Sequence, residues 1–251
     1  MSLPKPFYDE DGITIFHGDC REILPQLEPE SITLLWTDPP YGHGNMDGDL
    51  QSARVGVKGA RQEDAIPIAN DSAEDMRIVV DAALSLAVPL LRSDCCCCCC
   101  CCCGGPRPTF AWLAERMDQS GLSFFHSIIW DKTARGPGMG WRFRRDHEMI
   151  MVAHRKGGRL AWSDREVAVS NIVRERPPQD RVHPNEKPID MVGRFIRLTT
   201  DEEDTVLDPF MGSGTTMRAA KDLGRKAIGI EIEEKYCEIA VKRLAQGVLA
   251  L

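Results

Sequence analysis

The stretch Ile32-Thr33-Leu34-Leu35-Trp36-Thr37-Asp38-Pro39-Pro40-Tyr41-Gly42 organises the chain. Ile32 to Trp36 is apolar and β-prone, and reads as a strand buried on both faces. An acid, two prolines and an aromatic ring follow at its carboxyl end. In open α/β sheets that is the edge where ligands bind. Proline lacks an N–H and restricts the residue before it, so Asp38-Pro39-Pro40 is a stiff turn. Such a turn holds the Asp38 carboxylate and the Pro39 carbonyl as two fixed acceptors. A planar amino group, with two N–H donors, is the natural guest, and Tyr41 offers a flat face for an aromatic ring. The plainer reading is a strand-ending turn with a solvated acid and a surface tyrosine.

A second strand and turn lie far downstream, in Thr205-Val206-Leu207-Asp208-Pro209-Phe210-Met211-Gly212-Ser213-Gly214-Thr215-Thr216. Its glycines let a ligand approach the backbone, and the helix start supplies N–H donors. Glu231, 23 residues after Asp208, closes the next strand. That spacing resembles the interval at which an acid meets ribose hydroxyls in nucleotide-binding βαβ units. The plainer alternative is an αβ turn with a surface glutamate.

Together these segments resemble the amino-methylating DNA methyltransferases, which move a methyl group from S-adenosylmethionine to adenine N6 or cytosine N4. Asp38-Pro39-Pro40-Tyr41 resembles their catalytic motif. Asp208, Pro209, Phe210, Gly212, Ser213, Gly214 and Thr215 match their cofactor loop, and Glu231 falls on their ribose-binding acid. Gly18-Asp19-Cys20 resembles the segment whose acid, here Asp19, lies near the cofactor's adenine. His183-Pro184-Asn185-Glu186-Lys187-Pro188 is similar to a His-Pro-Thr-Gln-Lys-Pro segment flanking the methionine end. It differs at Asn185 and Glu186 and keeps Lys187. The catalytic turn precedes the cofactor loop, as in the permuted β group. The resemblance implies one α/β domain over residues 1–251. Its fold would be a Rossmann-like, circularly permuted methyltransferase fold with a mostly parallel seven-stranded sheet and one antiparallel strand near the edge.

Composition fits that size. The chain has 251 residues, 43% hydrophobic and 27% charged, the balance of an ordinary globular protein. No apolar run reaches a membrane span and Met1 to Glu10 lacks a signal-peptide core, so a cytoplasmic protein is expected; the resemblance implies a bacterial or phage origin. The net charge of −7 argues against indiscriminate nucleic-acid binding but not against a local basic face. Lys132 to Arg181 carries twelve basic against six acidic residues. Arg142, Arg144, Arg155, Lys156 and Arg159 are the expected phosphate contacts; a solvated surface is the alternative.

Periodicity predicts strands at residues 12–17, 122–130, 148–153, 205–207 and 226–230. It predicts helices at 21–27, 73–91, 108–120, 188–198, 215–223 and 233–246. Residues 42–70 are expected to be a mobile loop and residues 157–182 an irregular target-recognition insertion. Nine consecutive cysteines, Cys95 to Cys103, have the wrong geometry for one ion, since neighbours in a strand face opposite ways. They are expected to form a buried strand of small apolar side chains, with no metal.

The implied activity is site-specific adenine-N6 methylation of a base flipped from double-stranded DNA. Cytosine-N4 methylation and a catalytically silent DNA-binding subunit are the alternatives. A nicotinamide oxidoreductase on a similar sheet leaves Asp38-Pro39-Pro40-Tyr41 unexplained. Family members with Asp in the first position mostly modify adenine, whereas Ser is common in cytosine-N4 enzymes. A homodimer and a restriction endonuclease partner are compatible with the resemblance.

Overall fold

The computed structural model describes residues 3–40, 69, 72–101, 109–133, 146–163, 168–178 and 186–246. Its strands are β1 (Tyr8–Glu10), β2 (Ile13–His17), β3 (Ile32–Thr37), β4 (Leu91–Cys101) and β5 (Leu122–Asp131). They continue with β6 (His147–Arg155), β7 (Arg159–Leu160), β8 (Ile172–Arg174), β9 (Thr205–Asp208) and β10 (Lys226–Glu231). The helices are α1 (Cys20–Ile23), α2 (Ala73–Ala87), α3 (Thr109–Gln119), α4 (Ile189–Thr199), α5 (Thr215–Asp222) and α6 (Glu234–Ala245).

The strands form one sheet in the order β1-β2-β10-β9-β3-β4-β6-β5-β8, with β7 paired to β4. From β2 to β4 every pairing is parallel. Only β6 runs against its neighbours in the centre, and β1 against β2 at the edge. Strands β2, β10, β9, β3, β4 and β5 therefore end at one edge, where β6 begins. Strand β3 is central and buried at all six positions, as its apolar run requires.

Cys95 to Cys101 lie in β4, and alternation along the strand decides which layer each described residue enters. Cys95, Cys97 and Cys99 join one core with α1, α2 and α3, while Cys96 and Cys98 join the other with α4, α5 and α6. Burial pushes the Cys95 thiol up to about 11 and raises Cys97 well above the ordinary thiol value, so these thiols stay neutral. Among the described residues these cysteines behave as small apolar side chains.

The structure differs from the sequence expectation in three places. Among the described residues ten strands stand where seven were expected, because β1, β7 and β8, of 3, 2 and 3 residues, extend the sheet. Residues 157–182 are thus not wholly irregular, since β7 and β8 take sheet hydrogen bonds there. The helix expected to reach Leu91 ends at Ala87. Pro89 sits in a 3₁₀ turn, and Leu91 already belongs to β4. Of residues 42–70, all but Ala69 lie outside the described residues.

Candidate active site

A cleft opens at the carboxyl edge of the sheet. Its floor is the ends of β2, β10, β9 and β3. Asp38, Pro39 and Pro40 line it together with Asp19, Lys187, Asp208, Pro209, Phe210, Gly212, Ser213, Thr215 and Glu231. Two segments 170 positions apart, Asp38 and Asp208, meet because β3 and β9 are parallel neighbours. Tyr41, Arg142, Arg144 and residues 183–185 lie outside the described residues.

The loop after β9 is tied down by its own acid. Asp208 Oδ1 accepts the Phe210 N–H at 3.1 Å and Oδ2 accepts the Thr216 hydroxyl at 2.6 Å. Burial pushes the Asp208 carboxyl up to about 7 against these two bonds, and Asp38 and Glu231 add to the rise. Glu231 Oε2 accepts the Gly212 N–H at 2.8 Å and Oε1 the Glu233 N–H at 2.9 Å. Burial raises its carboxyl as well, with backbone N–H groups opposing.

Gly214 does not line the cleft. It stands at the start of α5 with φ +80°, and a Cβ there would lie 2.6 Å from the Ala240 Cβ of α6. Its need for glycine comes from helix packing and a left-handed backbone, not from ligand approach. Asp19 caps α1 through the Arg21 N–H at 2.8 Å and takes the Arg21 Nε at 2.9 Å. That hydrogen-bonded guanidinium holds the Asp19 carboxyl below its ordinary value, against burial.

Lys187 is buried, with 5% exposure. Its Nζ donates to Asp38 Oδ2 at 2.7 Å and lies 3.3 Å from Glu148 Oε2. Glu148 Oε1 in turn lies 2.5 Å from Lys132 Nζ. Glu186 Oε1 accepts from Arg243 Nη2 at 2.7 Å, and Arg243 also donates to the Thr215 hydroxyl at 2.8 Å. The Asn-Glu departure from the family pattern thus leaves Glu186 fastening its loop to α5 and α6. Sequence reasoning missed Glu148, Lys132 and Arg243. The one signal for Glu148 was an acid at the head of an apolar strand.

Three of the residues expected to contact DNA lie away from the cleft edge. Strand β6 starts at the cleft edge and runs away from it, so Arg155 and Lys156 emerge at the opposite edge, and Arg159 pairs with the start of β4. Arg155 lies 2.6 Å from Glu30, and Lys156 lies 3.0 Å from Asp118. Charge density along the sequence does not report strand direction. Exposed cations at the cleft edge, among the described residues, include Arg174, beside Asp131 at 3.4 Å, and Arg176, with Arg21 and Lys235 nearer the cleft floor.

A family model described as a DNA methylase, for N6 and N4 methylation, matches residues 32–242. The type II methyltransferase M2.LlaDCHI of Lactococcus lactis subsp. cremoris is 28% identical over 98% of this chain and 94% of its own length. The type II methyltransferase M2.DpnII of Streptococcus pneumoniae is 29% identical over 96% of this chain and 93% of its own. The crystallised PvuII DNA methyltransferase, described as cytosine-N4-specific, shares the fold with a TM-score of 0.74 at 19% identity. That match covers 98% of this chain and 91% of that one.

Proposed function

From the fact that this chain belongs to the N6/N4 DNA methylase family, we propose that it is a site-specific adenine-N6 methyltransferase acting on a base flipped out of double-stranded DNA. The observation that carries the reading is Asp38, held at the end of β3 in the same cleft as Asp208 and Glu231. The enzyme is an S-adenosylmethionine-dependent DNA methyltransferase. The cleft suits that cofactor, because Asp19, Asp38, Asp208, Glu231 and Glu233 surround it with carboxyl groups. Such a lining attracts a sulfonium and repels the pyrophosphate of a nicotinamide dinucleotide.

When bound, the cofactor supplies an electrophilic methyl group. Glu231, whose oxygens are oriented by the Gly212 and Glu233 N–H groups, binds the ribose hydroxyls. Asp38 and the Pro39 carbonyl accept the two amino hydrogens of the base. An amino nitrogen is a poor nucleophile while its lone pair is delocalised into the ring. Holding both hydrogens out of the ring plane localises that pair and aims it. Most of the rate then comes from positioning and preorganised charge. Tyr41 stacks on the flipped base in this reading.

The PvuII likeness shows that the fold alone does not choose between adenine and cytosine. The choice rests on Asp at position 38, the residue common among adenine-modifying members of the family. The reading includes a circularly permuted strand order and a cytoplasmic enzyme in a type II restriction–modification setting. An endonuclease of the same specificity would be its partner, and a homodimer is compatible with the reading. DNA approaches the cleft edge, where Arg174 and Arg176 meet phosphates. Sequencing the DNA of cells that express this chain tests the proposal. One short sequence methylated at adenine throughout supports it; methylation scattered without sequence preference, or at cytosine, refutes it.

A further inference from the structure

Four charges stand in a row behind the catalytic turn. Lys132 Nζ lies 2.5 Å from Glu148 Oε1, Glu148 Oε2 lies 3.3 Å from Lys187 Nζ, and Lys187 Nζ lies 2.7 Å from Asp38 Oδ2. Glu148 is the second residue of β6, opposite Trp130 of β5. It is 7% exposed in a strand whose following four residues are apolar. The Trp130 ring lies beneath both ammonium groups, 5.2 Å from Lys132 Nζ and 5.9 Å from Lys187 Nζ. Burial pushes the Glu148 carboxyl up, but Lys187 and Lys132 outweigh it and hold it below the ordinary range.

Stability alone is a weak reason for such a row. Buried ion pairs replaced together by apolar side chains often cost nothing, because desolvation offsets the attraction. The arrangement gains sense from its last member. Asp38 has two oxygens with about four acceptor sites. One is taken by Lys187, which restrains rotation of the carboxylate. A lysine stem is long and flexible, so its ammonium holds one position only if something confines it. Glu148 and the Trp130 ring do so, and Lys132 seats Glu148.

We propose that Glu148 is a positioning residue for methyl transfer: seated by Lys132, it holds Lys187 against Asp38 and fixes the carboxylate that receives the target amino group. This rests on the reading that Asp38 receives that group. A displacement of about 1 Å at such a point costs on the order of a hundredfold in rate.

The test compares wild type with Glu148→Gln and Lys132→Met on a duplex carrying 2-aminopurine at the target position and on the matching adenine duplex. Cofactor affinity, 2-aminopurine fluorescence on DNA binding and single-turnover methylation are measured on each. Glu148→Gln is expected to bind S-adenosylmethionine within about twofold of wild type and to flip the base normally. Its single-turnover rate is expected to fall roughly 10- to 100-fold, the range seen when partners that orient a functional group are removed. Lys132→Met should show the same pattern with a smaller loss, and the double variant should match Glu148→Gln alone. If Glu148→Gln does not fold, Lys132→Met carries the test by its own split between binding and rate. Cofactor affinity, flipping and rate falling together would mean a merely structural role and overturn the inference. So would a Glu148→Gln rate equal to wild type, which leaves the reading of Asp38 intact. A wild type that methylates no adenine overturns that reading and this inference with it.

Discussion

In the proposed mechanism, Asp38 and Glu231 divide the work of the cleft between base and cofactor. Asp38→Ala is expected to abolish methyl transfer while S-adenosylmethionine binding stays nearly intact. Glu231→Ala should weaken cofactor binding by about 1–3 kcal/mol, the scale of hydrogen bonds to a charged group. Calorimetric titration beside a turnover assay checks both, and an Asp38→Ala protein that loses the cofactor yet turns over at saturation would contradict the assignment. Asp208 makes a pH prediction. Its carboxyl is pushed up to about 7, above the value of about 4 in an unfolded chain. A raised carboxyl stabilises the fold fully below the unfolded pKa, and that contribution is lost as pH rises through the folded one. Wild type should therefore lose stability relative to Asp208→Asn between about pH 4 and 7, by on the order of 1.4 kcal/mol for each step of one in pH. Urea unfolding of both proteins across that range reads it; a constant gap would contradict it. Asp38, Asp208 and Glu231 were legible because prolines, glycines and strand ends mark their turns locally. Glu148 and the Lys187–Asp38 bond were not, because each depends on strands and loops brought together from distant parts of the chain.

At the scale of elements, β4 shows how far composition carries. Nine cysteines in a row read as a two-faced buried strand, and among the described side chains Cys95 to Cys99 alternate between the two cores. Replacing Cys97 and Cys99 with Val should leave turnover unchanged and cost about 1–3 kcal/mol of stability from overpacking. A melting curve and a rate measurement separate the two effects, and lost turnover in a fully folded variant would contradict the prediction. Gly214 is the converse case, a residue whose motif suggested ligand approach. Gly214→Ala would force a Cβ to 2.6 Å from that of Ala240 at φ +80°. It should destabilise the protein by about 1–3 kcal/mol, with cofactor affinity of the folded fraction preserved. The two-residue β7 and three-residue β8 were illegible because short edge strands are fixed by the sheet they join, not by their own pattern.

For the whole molecule, the parallel strands set a polarity that linear charge counts cannot see. Arg174 and Arg176 stand at the cleft edge; Arg155, Lys156 and Arg159 stand at the other. Neutralising Arg174 and Arg176 should weaken binding to all DNA sequences and flatten its salt dependence by about one unit of slope per lost phosphate contact. Neutralising Lys156 and Arg159 should leave the slope unchanged. The reverse result would move the DNA to the far edge of the sheet and away from the cleft. All of this turns on whether the cleft, through Asp38, transfers a methyl group to adenine N6. That is read by incubating the protein with labelled S-adenosylmethionine and mixed-sequence duplex DNA, digesting the DNA to nucleosides and identifying the labelled one by mass spectrometry. N6-methyladenine is expected from wild type, and no labelled nucleoside from Asp38→Ala. Label in N4-methylcytosine alone, or equal label from the Asp38→Ala protein, would contradict it.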